Sequence, residues 1–294
     1  MNTITQILLL LLGTFVAANL QPRLVVAETR VVIIVGPSSH PPGTHEVAAG
    51  GRLMKHCLET ADDLPDVKVD LFNEWPTDQK VLDAASTIVF TGDTFPPNRL
   101  PNAKNTLKKL GQMMESGCGI VCVHYATGLR AEDVAADGEH PLLHWMGGYF
   151  ATRCAHHQSI ARIYPAAKIT PAAAMHPIWQ GCQPFTLHDE PYINNYFGKD
   201  GNKQAANVTL LASSLLPPEN PKPETVSWCI ERADSGRGFG IVMPHFYRSW
   251  KIEDLRRFIL NGIAWTAKLE VPERGVHSTL PNLATFKPAS VEPK

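Results

Sequence analysis

The chain has 294 residues, 44% of them hydrophobic, which is apolar surface enough for one large core. Its 27 Lys and Arg nearly balance 28 Asp and Glu. That balance gives neither the basic field that draws nucleic acid nor an acidic tail, so no nucleic-acid partner is expected.

Residues 1–27 read as a signal peptide. Ile7 to Val16 is an apolar run interrupted by Gly13 and Thr14, and Leu24-Val25-Val26-Ala27 then precedes Glu28 with branched or small residues at −3 and −1. The run is too short for a bilayer, which needs ~20 residues. The expectation is an exported protein, periplasmic or extracellular, with no membrane attachment after cleavage. The stretch before Ile7 holds no Lys or Arg, so a retained N-terminal anchor is the alternative.

Arg30 to Val35 is a continuous β-branched run ending at Gly36, a strand buried on both faces. A polar loop, Pro37 to Glu46, leads into a helix over Val47–Thr60 with its apolar residues on one face. Strands follow at Val67–Phe72 and Ala84–Phe90, a helix at Leu107–Glu115, and a fourth strand at Gly119–Val123 that ends on His124. Alternating strands and helices, with strands apolar throughout, predict a parallel sheet covered on both faces. The strands at Arg30–Val35, Ala84–Phe90 and Gly119–Val123 should be parallel neighbours. From Leu129 to about Val226 the chain is rich in Pro and Gly and reads as loops, with strands at Thr209–Ser213 and Val226–Glu231. Gly238–Val242 is a last strand and about Ile252 to Leu269 a last helix. The final ~20 residues lack periodicity and should trail over the surface.

The six cysteines are not spaced as a disulfide framework or as paired C-x-x-C zinc ligands, so buried free thiols are expected; Cys154 with Cys182 is the pair to examine first.

Polar residues gather where the strands of such a sheet end, and there open α/β sheets bind ligands. Ser39-His40-Pro41-Pro42-Gly43-Thr44-His45-Glu46 offers two histidines and a carboxylate that suit a metal or proton transfer, or simply a helix start with Thr44 as N-cap. Asp93 follows the third strand. Gly119 to Gly128 has the shape of a nucleophile elbow with His124 at the sharp turn, while Cys122 lies inside the strand and should be inert. His176 to Gly181 and Phe185 to Tyr192 are dense in polar residues. Neighbours on an extended segment point oppositely, so only one of Asp189 and Glu190 should face a site, with Glu190 preferred. His245 comes just past the last strand.

Ser39 to Glu46, Ile88 to Asp93, Gly119 to Ala126, Trp145 to Tyr149, His176 to Gly181, Asp189 to Tyr192, Gly236 to His245 and Leu260 to Trp265, in that order, resemble motifs of the ThuA-like (trehalose utilisation) family, in particular its exported planctomycete-type members. The resemblance spans roughly Val31 to Pro272. It implies an α/β fold, a flavodoxin-like sandwich with a mostly parallel sheet, related to the class I glutamine amidotransferases. It also implies a division into signal peptide 1–27, family domain 28–272 and C-terminal tail 273–294. Those amidotransferases carry Cys at the elbow and a His–Glu pair downstream. Here the elbow is His124 and the later motif reads His245-Phe246-Tyr247, against cysteine-based amide hydrolysis. Pro41 and Met243-Pro244 stand where relatives often have Gly.

The family's association with disaccharides and oxidised (3-keto) glycosides implies an enzyme, a hydrolase or lyase, with a small sugar as substrate. The expected catalytic groups are His124, Glu190 and His245, and the expected substrate contacts His40, Asp93, Tyr125 and Tyr192. His40, His45, His124 and His245 are candidate ligands of a divalent metal such as zinc. The alternative is a non-catalytic carbohydrate-binding module, which would show the histidines pointing apart and Trp145, Tyr149 and Tyr192 lining a cleft.

Overall fold

The computed structural model describes residues 28–287; the expected leader at 1–27 and the last residues of the expected tail, 288–294, lie outside the described residues. One nine-stranded sheet organises them. Strands β1 (Thr29–Val35), β2 (Val67–Phe72), β3 (Thr87–Thr91) and β4 (Gly119–Val123) come from the first half of the chain. They alternate with helices α1 (Val47–Glu59), α2 (Gln79–Asp83) and α3 (Ala103–Glu115). The short strands β5 (Gly128–Arg130) and β6 (Phe150–Thr152) flank helix α4 (Pro141–Met146). Strands β7 (Tyr164–Pro171), β8 (Phe185–Asp189), β9 (Val208–Leu216), β10 (Lys222–Glu231) and β11 (Arg237–Ile241) follow, then helix α5 (Glu253–Thr266).

The sheet order is β2-β1-β3-β4-β11-β10-β9-β7-β8, and β5 pairs with β6 in a separate parallel ribbon. β2, β1, β3, β4 and β11 are all parallel, so the three strands expected as neighbours are neighbours. From β10 onward every pairing is antiparallel, giving a mixed α/β sheet. Val32 to Ile34, Ile88 to Phe90 and Ile120 to Cys122 are wholly buried because both faces are covered. A Cβ on Gly238 would meet α4 while one on Gly262 of α5 would meet Phe239, so adjacent positions of β11 face the two helical layers.

The structure differs from the sequence expectation in several places. Helix α4 and strands β6, β7 and β8 form inside the stretch read as loops, and the strand expected from Ala84 begins at Thr87, after the unexpected helix α2. Helix α3 starts at Ala103, a turn before Leu107. Thr44 does not cap α1: its hydroxyl donates to the Pro41 carbonyl at 2.6 Å, and Glu46 occupies the cap position with its carboxylate accepting from the Gly43 N–H at 2.7 Å. Residues 273–287 of the expected tail are anchored rather than trailing. Val276 and Leu283 are buried, the Val276 N–H donates to the Asn261 side chain, and Lys287 pairs with Glu46 at 2.8 Å. All six cysteines are buried free thiols, Cys154 and Cys182 included.

His140 ties α4 to the core. Its Nδ1 accepts the Leu142 N–H at 3.0 Å as an N-cap, and burial lowers its pKa to about 4. Protonation therefore costs the folded state both desolvation and a cap. An unfolded histidine takes up its proton near pH 6.5, so stability is intact above that pH and falls as pH drops toward 4. Thermal melts should show the midpoint falling over this window. His140→Asn, which caps equally well and does not titrate, should flatten the fall by the equivalent of about 3 kcal/mol. A variant with the wild-type acid limb would remove His140 from the cause.

Candidate active site

Register decides which residues meet. Val35 lies beside Thr91, Thr91 beside Val123 and Val123 beside Ile241, so four parallel strands end at one level. The segments that leave these strands all emerge over the same edge. The first and third loops touch backbone to backbone there: a Cβ on Gly92 would lie 3.0 Å from the Gly36 Cα. That approach lets the Asp93 N–H reach the Pro37 carbonyl (2.9 Å) and the Ser39 N–H reach Asp93 Oδ2 (2.8 Å).

His124 sits at the elbow with φ 52°, the left-handed region that β-carbon-bearing residues avoid, and a 3-10 turn follows it. The strained turn aims its ring across the strand ends. His45 is likewise left-handed, φ 39°, and its backbone N–H donates to the His245 carbonyl at 2.9 Å. His245 is fixed from below, its N–H donating to Asp189 Oδ1 at 2.7 Å.

Three ring nitrogens converge as a result. His45 Nε2 is 2.9 Å from His124 Nε2 and 2.9 Å from His245 Nδ1, and His124 Nε2 is 3.3 Å from His245 Nδ1. Glu190 Oε2 completes the cluster, 3.1 Å from His245 Nδ1 and 3.9 Å from His124 Nε2. Tyr192 lies with its hydroxyl 3.0 Å from His124 Nε2, its ring stacked on the imidazole. A cavity of about 20 Å³ adjoins the three histidines, room for one water or ion.

The outer partners fix the tautomers. His124 Nδ1 lies 3.0 Å from the Val242 carbonyl, which can only accept, so Nδ1 carries the hydrogen. His45 Nδ1 donates to Asp93 Oδ1 at 2.7 Å, and His40 Nδ1 to Asp93 Oδ2 at 2.9 Å. Burial alone would push the Asp93 carboxyl up, but the His40, His45 and Ser39 donors hold it well below the usual carboxylate range. Burial lowers the pKa of His45, partly opposed by Asp93, and lowers that of His124 further, with the neighbouring imidazoles acting the same way. Both rings are therefore neutral, and each presents an Nε2 lone pair to the other at 2.9 Å. Two lone pairs repel at that distance unless a cation lies between them. Tetrahedral ligands on an ion such as zinc, at ~2.0–2.1 Å, stand about 3.3–3.4 Å apart; the 3.3 Å between His124 and His245 matches this, and the two 2.9 Å spacings fall somewhat short of it. An imidazole whose far nitrogen is held by a carboxylate or carbonyl is also how metal ligands are usually oriented.

Asp189 and Glu190 divide as alternation requires: Glu190 faces the histidines and Asp189 is wholly buried beneath them. Asp189 accepts from the N–H groups of His245, Phe246 and Glu190 and from the Ser249 hydroxyl. Complete burial pushes its carboxyl up against those donors. Sequence reasoning set Asp189 aside; its inward place on the alternating strand Phe185–Asp189 is the signal that could have found it.

His40 stands apart from the trio, its ring stacked on His45 at 3.5 Å and its side chain one-third exposed. Tyr125 forms a wall, 5.7 Å from the His45 ring and 5.9 Å from that of Tyr192. A depression of about 640 Å³ opens over His40, His45, Glu46 and Arg99. The histidines do not point apart, and two of the aromatic residues considered for a binding cleft lie elsewhere. Tyr149 donates to the Gly138 carbonyl, and Trp145 packs near Gly111 of α3. His176 is also remote, 3.5 Å from the Cys229 thiol and against Trp265. Cys122 is fully buried, which raises its thiol far above the ordinary range and leaves it inert. Another depression, about 510 Å³ around Lys109 and Lys268, lies at the opposite ends of the strands and contains no cluster able to hold a metal among the described residues.

The profile of the ThuA family, described as trehalose utilisation, matches residues 32–266. No curated protein matches the sequence significantly. Among solved structures, the chain is similar to a ThuA-like protein from Bacteroides uniformis ATCC 8492, at 17% identity and a TM-score of 0.56, covering 81% of this chain and 91% of that one. That likeness shows the fold. It is also similar to the carbohydrate deacetylase Agd3, at 10% identity, TM-score 0.48, with 82% of this chain and 32% of that one covered. A glutamine amidotransferase from Thermotoga maritima matches at 10% identity and TM-score 0.43, covering 82% and 96%. Neither of the last two is close enough to bear on function.

Proposed function

We infer that this chain, which belongs to the trehalose-utilisation (ThuA) family, is a carbohydrate-processing enzyme that uses a divalent metal held by His45, His124 and His245. One observation carries the reading: His45 Nε2 and His124 Nε2 lie 2.9 Å apart while their Nδ1 atoms are both committed as donors. Zinc suits a set of imidazole ligands, and when bound it would polarise a sugar oxygen or lower the pKa of a water. Glu190, on the rim beside His245, accepts the proton that the reaction releases. Tyr192, its hydroxyl kept protonated by burial, is placed to donate to a substrate oxygen, since a bound metal would take the His124 Nε2 lone pair that it faces here. Asp93 and the Val242 carbonyl keep His45 and His124 in the tautomer that binds. The substrates we propose are glycosides or their oxidised (3-keto) forms, handled outside the cytoplasm after residues 1–27 are removed as an export signal.

Metal analysis of purified protein, with turnover of a 3-keto disaccharide and of its parent disaccharide, tests the reading. One equivalent of metal per chain and cleavage of at least one substrate, abolished by chelation and restored by zinc, is the expected result. Metal without turnover would leave a binding module; protein that takes up no metal would overturn the centre itself.

A further inference from the structure

We propose that the cavity beside Tyr125 is a subsite for a carboxylate-bearing sugar, a uronate or aldonate unit, gripped by Arg130 and Arg153. The inference rests on the reading of the neighbouring histidine centre as the reactive one, and it names the class of substrate that centre receives. The cavity measures about 400 Å³ and is lined by Tyr125, Arg130, Glu132, Thr152 and Arg153.

Two cations distant in sequence are brought together here by the parallel ribbon. Arg130 at the end of β5 pairs in register with Thr152 at the end of β6, so Arg153 follows directly beside it. Nothing in the described fold neutralises both. Arg130 has Glu132 at 3.7 Å, but Glu132 is shared with Arg99 at 3.8 Å, and the nearby Asp133 is already bound to Arg99. The exposed Arg153 side chain makes no hydrogen bond or ion pair with a described residue. Its backbone is also left-handed, φ 55°, a conformation a residue with a Cβ adopts at a cost. Two arginines lining one cavity, one of them without a protein partner and held on a strained backbone, are features that an anionic ligand accounts for.

Position links this anion site to the centre. Phe150, two residues before Thr152, packs at a tilt against Tyr192 with ring centroids 4.0 Å apart and meets Tyr125 edge-on at 5.8 Å. The ribbon is thus clamped to the two aromatic residues beside His45 and His124. A ligand whose carboxylate takes the guanidinium donors lays its ring along Tyr125, toward the histidines. Glu132 on the same wall accepts sugar hydroxyls and repels a second negative charge. That repulsion favours a monoanionic carboxylate over a phosphate, although guanidinium forks fit either.

Isothermal titration of the zinc-loaded full chain with D-glucuronate, D-glucose and D-glucose 6-phosphate is the test. Glucuronate should bind roughly tenfold or more tighter than glucose, the gain expected of charge-assisted hydrogen bonds, and the advantage should shrink with added salt. Arg153→Asn, which tolerates the left-handed backbone, and Arg130→Gln should each remove most of it. Arg162→Gln, an exposed arginine paired with Glu219, should leave it intact. Equal affinities for glucuronate and glucose, no measurable binding of any of the three, or an advantage untouched by both cavity variants would overturn the subsite. Tighter binding of glucose 6-phosphate than of glucuronate would overturn the carboxylate assignment. Should wild-type protein take up no metal yet keep an advantage that Arg153→Asn abolishes, the subsite stands and only the metal reading falls.

Discussion

Replacing His124 with asparagine should strip the protein of its metal and its turnover while leaving it folded. Asparagine is the informative choice because the backbone at 124 is left-handed, φ 52°, where asparagine is tolerated and alanine is strained. The substitution removes one of three converging nitrogens and the Nδ1–H bond to Val242 that orients it. Loss of an outer partner alone typically costs 10–100-fold in metal affinity, so loss of a ligand together with its outer partner should cost on the order of a thousandfold or more. A metal present at about 1,000 times its Kd stabilises the folded state by ~4 kcal/mol. For a chain of this size that is on the order of 10 °C in the melting midpoint. Zinc should therefore raise the wild-type midpoint by about that amount and move the variant hardly at all. Turnover should fall by about a thousandfold or more, since no remaining group replaces the metal's charge. A variant that still carries one equivalent of zinc, or shows the wild-type thermal shift, would sink the assignment of the centre.

Asp189 should matter more for stability than any residue that faces the site. It lies wholly buried at the end of β8 and gathers four donors, including the N–H groups of His245 and Glu190. Asp189→Ala leaves those donors unsatisfied in a dry interior. Each orphaned group costs about 1–3 kcal/mol, and partial relaxation keeps the sum near 3–4 kcal/mol. Denaturant unfolding of the metal-free protein measures this directly. Asp189→Asn keeps the volume and one acceptor oxygen, so its stability loss should be about half as large. Its zinc affinity should still fall 10–100-fold, because the turn carrying His245 loses its fixed seat. Glu190→Gln is the contrast: one residue away, it should lower turnover with stability within about 0.5 kcal/mol. An Asp189→Ala variant destabilised by less than ~1 kcal/mol would show that the buried carboxylate does not hold the turn.

The contrast between these neighbours shows how far the sequence reaches. Strict alternation along an extended segment separated Asp189 from Glu190 and sent Glu190 toward the histidines. What alternation cannot show is that the inward carboxylate meets two N–H groups and a hydroxyl that arrive 56 to 60 residues later. The same division holds for the fold. β1, β3 and β4 were legible because strands covered on both faces must be apolar at every position, and α1 and α5 because one helical face repeats every three to four residues. β7 was not, since Tyr164–Pro171 begins and ends near prolines and leaves only three of its eight residues buried at the far side of the sheet, where no continuous apolar run is demanded.

Amino-acid order alone thus settles the α/β class, the parallel core and the fact that His45, Asp93, His124 and His245 follow strands or lie in the first strand's loop. Those are local properties, written in periodicity and in where each run stops. It took the folded chain to show that His45, His124 and His245 meet within 3.3 Å, that His40 is left outside them, and that Arg130 and Arg153 share a cavity. The contacts among the three histidines span 79, 121 and 200 residues. They depend on strand register, on the close approach of Gly36 and Gly92, and on two left-handed backbones. Each of these is fixed by packing between distant segments rather than by anything a neighbouring residue can express.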